Sequence, residues 1–290
     1  MFGALSYIGY VVYEQKGFNE AFAKAWEAIF YNHLYLVPLV LLMVLNWMLE
    51  GVKWKSLLKP IKKVSLLKAV TAVISGISLS FITVGGLGDY LGRALFIEKK
   101  HLKSLIGITL AGGIYQNLIT YTAGGAGLIL FLEFQLGEVF QVLWFLLFGL
   151  FAVLVYFVFH IHYLLKIKFL RQFISTLASY NTKDKFFIFL LSFCRYVIIL
   201  IQYFLILQAL QVQIGILDFF TGISLMLLLK SAIPRFSFLS DLGIREFSAL
   251  LFFTKVGLAP AIIISSTLLL WVLNILIPAV GGLYFILGKK

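Results

Sequence analysis

The sequence has too little charge for a soluble protein of its size. Of its 290 residues, 12% are Asp, Glu, Lys or Arg and 62% are hydrophobic, and the mean hydropathy is +1.02. About a quarter of the residues in an average globular domain are charged. The shortage of charge therefore excludes an ordinary soluble domain and predicts an integral membrane protein.

Cysteine and acidic residues are also scarce. The single cysteine, Cys194, excludes an intramolecular disulfide and a cysteine-based zinc site. Twelve acidic residues stand against 24 Lys and Arg, which gives a net charge of +12. In a soluble protein this excess would suggest a nucleic-acid partner, but in a membrane protein it indicates which side of the bilayer the cations occupy. We expect no nucleic acid, no metal and no cofactor.

Long apolar segments are what the sequence has in abundance. They cover residues 33–49, 69–97, 105–132, 139–165, 186–210, 219–233, 247–253 and 258–287. In a bilayer only helices and closed barrels satisfy the backbone internally, and these segments lack the alternation of barrel strands. We therefore predict an all-α polytopic membrane protein, with a single membrane domain over residues 1–290 and about six spanning helices.

Four clusters of cations indicate the orientation of the chain. They are Lys53, Lys55, Lys59, Lys62, Lys63 and Lys68; Lys99, Lys100 and Lys103; Lys166, Lys168, Arg171, Lys183 and Lys185; and Lys289 with Lys290. The positive-inside rule places all four clusters in the cytoplasm. The expected location is the plasma (inner) membrane of a prokaryote, with the C-terminus in the cytoplasm.

The first two clusters share one side only if the chain between them enters the membrane and returns. As a helix the returning arm, residues 89–98, reaches about 15 Å, half of a hydrocarbon core of roughly 30 Å. We therefore predict a re-entrant helical hairpin that breaks at Gly85, Gly86 and Gly88, where glycine allows a sharp turn. The alternative is one long tilted helix whose glycines serve only close packing.

A second hairpin is expected from the opposite side of the membrane. Residues 219–233 enter, the run from Pro234 to Gly243 breaks the helix, and residues 244–255 return. Two oppositely oriented re-entrant hairpins are typical of inverted-repeat transporters. The repeat-like halves would cover about residues 33–132 and 186–287.

Ionisable residues inside membrane segments are costly and are therefore functional candidates. Four cations are candidate ligands of a headgroup phosphate: Arg93, Lys230, Arg235 and Arg245. Their candidate charge partners are Asn46, Glu50, Asp89, Asp241 and Glu246. The alternative is that these groups form structural salt bridges that fix the broken helices. Arg195 is expected to snorkel to the cytoplasmic surface instead.

Three short motifs resemble a known family. They are NWMLEGVKW at residues 46–54, GGLGDYLGR at 85–93, and Ile233-Pro234 followed by DLGIRE at 241–246. These motifs are similar to the flippase-like membrane region of lysylphosphatidylglycerol synthases, or multiple peptide resistance factors, and of their stand-alone relatives. Asp89 stands where many members have Glu. Residues 1–290 contain no aminoacyl-transfer domain, so the resemblance is to the stand-alone form.

The resemblance implies movement of a phospholipid or polyprenyl-phosphate-linked headgroup between leaflets. The inverted breaks and their charges favour a flippase-like transporter that uses a polar cavity between two broken-helix hairpins. The implied partners are membrane lipids with an anionic or lipid-linked phosphate headgroup, and also a membrane enzyme or a second copy of the chain.

Two other functions stay open. One is a membrane transferase or hydrolase acting on a lipid-linked phosphate, in which Glu50, Asp89 and Glu246 bind a metal or act as general base. The other is a scaffold for a membrane glycosyltransferase or synthetase. An enzyme is less favoured because the sequence has neither an Asp-rich pair with metal-binding spacing nor a His near the charged residues.

Overall fold

The computed structural model describes residues 6, 8, 10–13, 18–83, 87–98, 101–136, 139–159, 179–233 and 238–288, and within them it is helical with no strand. The helices are α1 (Phe18–Phe30), α2 (His33–Leu58), α3 (Leu66–Ile82), α4 (Leu87–Ala94), α5 (Leu102–Leu136), α6 (Val139–Phe159), α7 (Thr182–Ala209), α8 (Ile216–Ala232), α9 (Phe238–Phe253) and α10 (Pro260–Leu287). The prediction of an all-α protein is confirmed.

Three helices, α2, α7 and α10, are long and apolar enough to cross a membrane, and α3 and α6 contain shorter apolar stretches. Side chains cap several helices where they begin. Asn32 accepts a hydrogen bond from the backbone N–H of Leu34, and Ser65 accepts one from Lys68. Such caps satisfy N–H groups that have no partner within the helix.

The first hairpin is formed by α3 and α4, which pack against each other at glycines. A methyl group on Gly92 would collide with the backbone of Gly76 and Ser75, and one on Gly88 would collide with Leu79. Gly88 is the second residue of α4, so its observed role is close helix packing rather than the turn itself. Of the other predicted break residues, Gly85 and Gly86 lie outside the described residues.

The second hairpin is formed by α8 and α9, which also run back along each other. Lys230 near the end of α8 meets Asp241 near the start of α9, whereas Gly222 lies against the ring of Phe253 at the other end of the two helices. The prediction that Gly243 belongs to the break is wrong, because Gly243 lies inside α9. A single glycine within a helix costs only about 1 kcal/mol, which packing readily offsets. Pro234 lies outside the described residues.

The long arm of each hairpin packs on a helix from the other half of the chain. On α10, Gly282 lies against Ser78 of α3, and the Ser78 hydroxyl donates to the carbonyl oxygen of Ala279 at 2.5 Å. On α5, Gly127 lies against Ser224 of α8. The long arms α3 and α8 are each 17 residues long. The long arm of each hairpin therefore packs against a helix of the half of the chain to which that hairpin does not belong.

The long helices α2 and α7 pack against each other in opposite directions. Gln202 donates to the carbonyl oxygen of Leu39 at 3.2 Å near one end, and Tyr180, just before α7, donates to that of Leu57 at the other. One buried apolar cluster lies mainly among α7 to α10, and a second lies mainly among α2 to α5. The polar residues of the site lie between these two cores.

The glycine contact between α3 and α4 can be tested by adding one methyl group. We expect Gly92→Ala to lower the free energy of unfolding by about 1–3 kcal/mol, because the added carbon forces two packed backbones apart. A matched control is Gly113→Ala, where the new methyl group meets no atom within 4 Å. Denaturant unfolding in detergent measures both, and equal stability of the two variants would contradict the close contact.

Candidate functional site

A cavity of about 460 Å³ lies between the two hairpins and the long helices α2, α7 and α10. Its charged lining residues are Glu50, Asp89, Arg93, Arg195, Lys230, Asp241 and Arg245. Ile77, Met226 and Trp271 are among its apolar lining residues. The volume is in the range of small-molecule sites, and cations outnumber carboxylates on its wall.

Glu50 is the centre of the charged cluster on one side of the cavity. Its carboxylate lies 2.6 Å from Lys53 Nζ and 3.2 Å from Arg93 Nη2, and it also accepts a hydrogen bond from Arg195 Nη1. Arg93 in turn donates from Nε to Asp89 Oδ1 at 2.8 Å. The carboxylate of Glu50 thus joins side chains from α2, α4 and α7.

Two tryptophans hold the guanidinium groups of this cluster. The Arg93 guanidinium lies 4.6 Å from the ring centre of Trp54, and that of Arg195 lies 5.5 Å from the ring centre of Trp47. A cation over an aromatic face is attracted by the electron density of the ring. Arg93 and Arg195 are therefore fixed both by carboxylates and by aromatic faces.

An amide network extends the cluster to α10. Arg195 Nε donates to Asn46 Oδ1 at 2.9 Å, and Asn46 Nδ2 donates to Asn274 Oδ1 at 3.1 Å. Asn274 Nδ2 then donates to Gln202 Oε1 at 3.0 Å. Asn274 lies within a π-helical turn, Val272–Leu276, of a kind often found at functional sites. The irregular turn sets this amide between α2 and α7.

The opposite side of the cavity has unused hydrogen-bonding capacity. Arg245 is only 3% exposed, yet its Nε and Nη2 atoms find no hydrogen-bond acceptor among the residues that the structure describes. Its nearest carboxylate is that of Glu246, with Nε 3.9 Å from Oε1, which is too far for a hydrogen bond. Lys230 and Asp241 form an ion pair nearby at 3.7 Å. Buried donors without acceptors are rare and favour an incoming anion.

The structure brings most of the predicted site residues to this cavity. Asn46, Glu50, Asp89, Arg93, Lys230, Asp241 and Arg245 line it. Glu246 is not part of the lining, because its carboxylate is buried against Thr267 of α10. Arg235 lies outside the described residues.

Two basic residues are placed differently from the prediction. Arg195 does not snorkel to the surface but lines the cavity and binds Glu50. Lys53, expected in a cytoplasmic cation cluster, is only 2% exposed because it pairs with the same carboxylate. One sequence signal points to Arg195: an arginine within an apolar helix, with no acidic residue one turn away, needs a partner on another helix.

The residues that the structure describes include no group of three or more His, Cys, Asp or Glu side chains placed to hold a metal ion. Searches against family models and against curated proteins find no match for this chain. The resemblance to the lysylphosphatidylglycerol synthases remains an expectation from the motifs.

Removing the central carboxylate tests its structural role. We expect Glu50→Gln to lower the free energy of unfolding by about 3–5 kcal/mol, since the buried Lys53 and Arg93 and the partly buried Arg195 lose their shared counter-charge. The control is Asp184→Asn, which removes a carboxylate from the exposed pair with Lys59 and should cost at most about 1 kcal/mol. Similar unfolding midpoints for both variants in detergent would show that Glu50 is not a structural centre.

Proposed function

We propose that the protein is a flippase-like transporter that moves a lipid with an anionic phosphate headgroup between leaflets, and that the headgroup binds in the cavity. The observation that carries the proposal is Arg245, a buried guanidinium on the cavity wall with two nitrogens that lack acceptors among the described residues. Arginine suits this role because its planar donors match two phosphate oxygens at once.

The composition of the cavity wall supports a headgroup as the cargo. The lining has four cations, Arg93, Arg195, Lys230 and Arg245, against three carboxylates, so an anion is favoured. Apolar side chains such as Leu227 and Leu270 complete the wall. A volume of about 460 Å³ can enclose a polar headgroup while the acyl chains stay in the bilayer.

The state of the carboxylates favours binding over catalysis. A hydrolase or transferase would need Glu50, Asp89 or Glu246 as a general base or metal ligand. Glu50 is held by three cationic side chains and Asp89 by Arg93, and Glu246 is not part of the cavity lining because its carboxyl lies against Thr267. We therefore favour a transporter over an enzyme that modifies the lipid.

The helix directions support the membrane arrangement that we propose. α2 and α7 run antiparallel, as expected for matching helices of an inverted repeat whose axis lies in the membrane plane. α4 has eight residues, or about 12 Å of helix, which is too short to cross the hydrocarbon core. We propose two re-entrant hairpins entering from opposite faces, about six spans, and a cytoplasmic C-terminus in a prokaryotic plasma membrane.

Transport should depend on Arg245. We expect Arg245→Gln to slow the transfer of fluorescent phosphatidylglycerol between leaflets of proteoliposomes by about tenfold or more, which is the loss expected for a hydrogen-bonded charge contact. Lys59→Gln is the control, since it removes a cation from an exposed pair outside the cavity. Unchanged transfer by a folded Arg245→Gln protein would contradict the site.

The membrane arrangement has its own test. In a Cys194→Ala background, which has no other cysteine, single cysteines replace Leu87 and Ser240. Because the hairpins are proposed to enter from opposite faces, a membrane-impermeant maleimide should label position 87 from one face of oriented vesicles and position 240 from the other. Labelling of both positions from one face would rule out inverted re-entry.

A further inference from the structure

Glu246 is a buried carboxyl group that the anion site does not use. It follows Arg245 in α9 but faces α10, and its residue is 4% exposed. Its Oε1 atom has no hydrogen-bond donor among the described residues, and its Oε2 atom lies against the hydroxyl of Thr267. An ionised carboxylate in such a place is costly unless its oxygens receive hydrogen bonds.

The Thr267 hydroxyl cannot satisfy an ionised Glu246 without losing another contact. Its oxygen is within hydrogen-bond distance of Glu246 Oε2 and also 2.9 Å from the carbonyl oxygen of Ile263. A hydroxyl has one proton to donate and two lone pairs to accept with. With one proton, the hydroxyl can only share a hydrogen bond between these two acceptors, whereas both contacts are full hydrogen bonds when Glu246 carries a proton and donates it to Thr267. The geometry therefore accommodates the neutral acid.

Arg245 is the group that would instead favour the ionised form. Its Nε atom lies 3.9 Å from Glu246 Oε1, close enough for charge attraction but not for a hydrogen bond. The positive charge of Arg245 can be compensated either by ionised Glu246 or by an anion in the cavity. Because these two negative charges compete for one guanidinium, the arrival of an anion favours protonation of Glu246.

The other titratable groups on the surrounding helices do not replace Arg245. They are Asp241 on α9; Asp218 and Lys230 on α8; Lys68 on α3; Lys183, Asp184, Lys185, Cys194, Arg195, Tyr196 and Tyr203 on α7; and Tyr284 on α10. Lys230 pairs with Asp241, and the Tyr203 hydroxyl bonds to that of Ser266 at 2.9 Å. Among the described residues, Arg245 is the cation paired with Glu246.

We propose that Glu246 is a proton-binding site that couples the uptake of a proton to the binding of a phosphate anion at Arg245. The proton comes from the aqueous phase with the anion and returns to it when the anion leaves. The proposal rests on the anion site of the proposed function. It adds a source of energy for transport, because a proton gradient can then drive the transfer of the lipid between leaflets. By linkage, the proton strengthens anion binding as much as the anion strengthens proton binding.

The experiment uses dioctanoyl phosphatidylglycerol as probe, because its phosphodiester does not itself titrate in the range studied. With the full chain in non-ionic detergent, we expect binding to be about 5- to 150-fold tighter at about pH 5 than at about pH 8, the usual range of coupling between sites. The sign follows from the competition, since at high pH ionised Glu246 opposes the anion at Arg245.

Two variants distinguish the effect of Glu246 on probe binding from the effect of removing any other carboxylate. Glu246→Gln, which mimics the protonated acid and keeps a donor for Thr267, should bind the probe with the same high affinity at both pH values. Glu98→Gln makes the same chemical change in an exposed pair with Lys62 and should keep the pH dependence of the natural protein. A proton-uptake measurement, from binding heats in two buffers that differ in ionisation enthalpy, needs no variant.

Each outcome supports or overturns a definite statement. Proton uptake that disappears in Glu246→Gln supports the coupling. Binding of equal affinity at both pH values without proton uptake, or a pH dependence that persists in Glu246→Gln, overturns the coupling and leaves the proposed function standing. Absence of probe binding at both pH values overturns both the coupling and the anion site.

Discussion

The carboxylate of Glu50 is the interaction on which the arrangement of the site depends. In an apolar interior, three neighbouring cations, two of them buried and one partly buried, are tolerated only where a counter-charge lies among them. Lys53, Arg93 and Arg195 come from α2, α4 and α7, and each lies within ion-pair distance of this one side chain. The short helix α4 of the first hairpin and the two long helices α2 and α7 are thereby held at one point, and the cavity lies between this point and the second hairpin.

Close packing of small residues makes that electrostatic arrangement possible. Arg93 reaches Glu50 because α4 lies directly on α3, with Gly92 against Gly76. Each hairpin is then held by the other half of the chain, through Gly282 on one side and Gly127 on the other. In a membrane there is little hydrophobic drive between helices, so such close backbone contact is an effective means of association. The glycines and the charges therefore act together, because the glycines allow the short distances between helices that the ion pairs require.

The sequence predicts the helical class and the clustering of charged residues better than it predicts which residues form ion pairs with each other. Apolar length and the cost of buried charge were sufficient to select Glu50, Arg93, Asp241 and Arg245, all of which line one cavity. The partner of Arg195 lies 145 positions away, and spacing along the chain carries no information at that range. Lys53 illustrates the same limit, since a cation near a helix end looks like a surface residue until the fold brings it against a carboxylate. Gly243 differs for a local reason: a glycine shortly after Pro234 suggests a break, but a single glycine costs a helix only about 1 kcal/mol, and Gly243 lies within α9.

The two sides of the cavity differ in a way that a symmetric repeat would not require. On the first hairpin Arg93 donates to two carboxylates and lies over a tryptophan, so its hydrogen-bonding groups are engaged. On the second hairpin Arg245 has two nitrogens without acceptors among the described residues, beside a carboxyl that it does not hydrogen-bond. A group that must bind and release cargo cannot be saturated by its own protein, because the cargo would have to displace those partners. On the proposed function, the first hairpin is therefore the fixed wall of the site, and exchange of anion and proton takes place on the second.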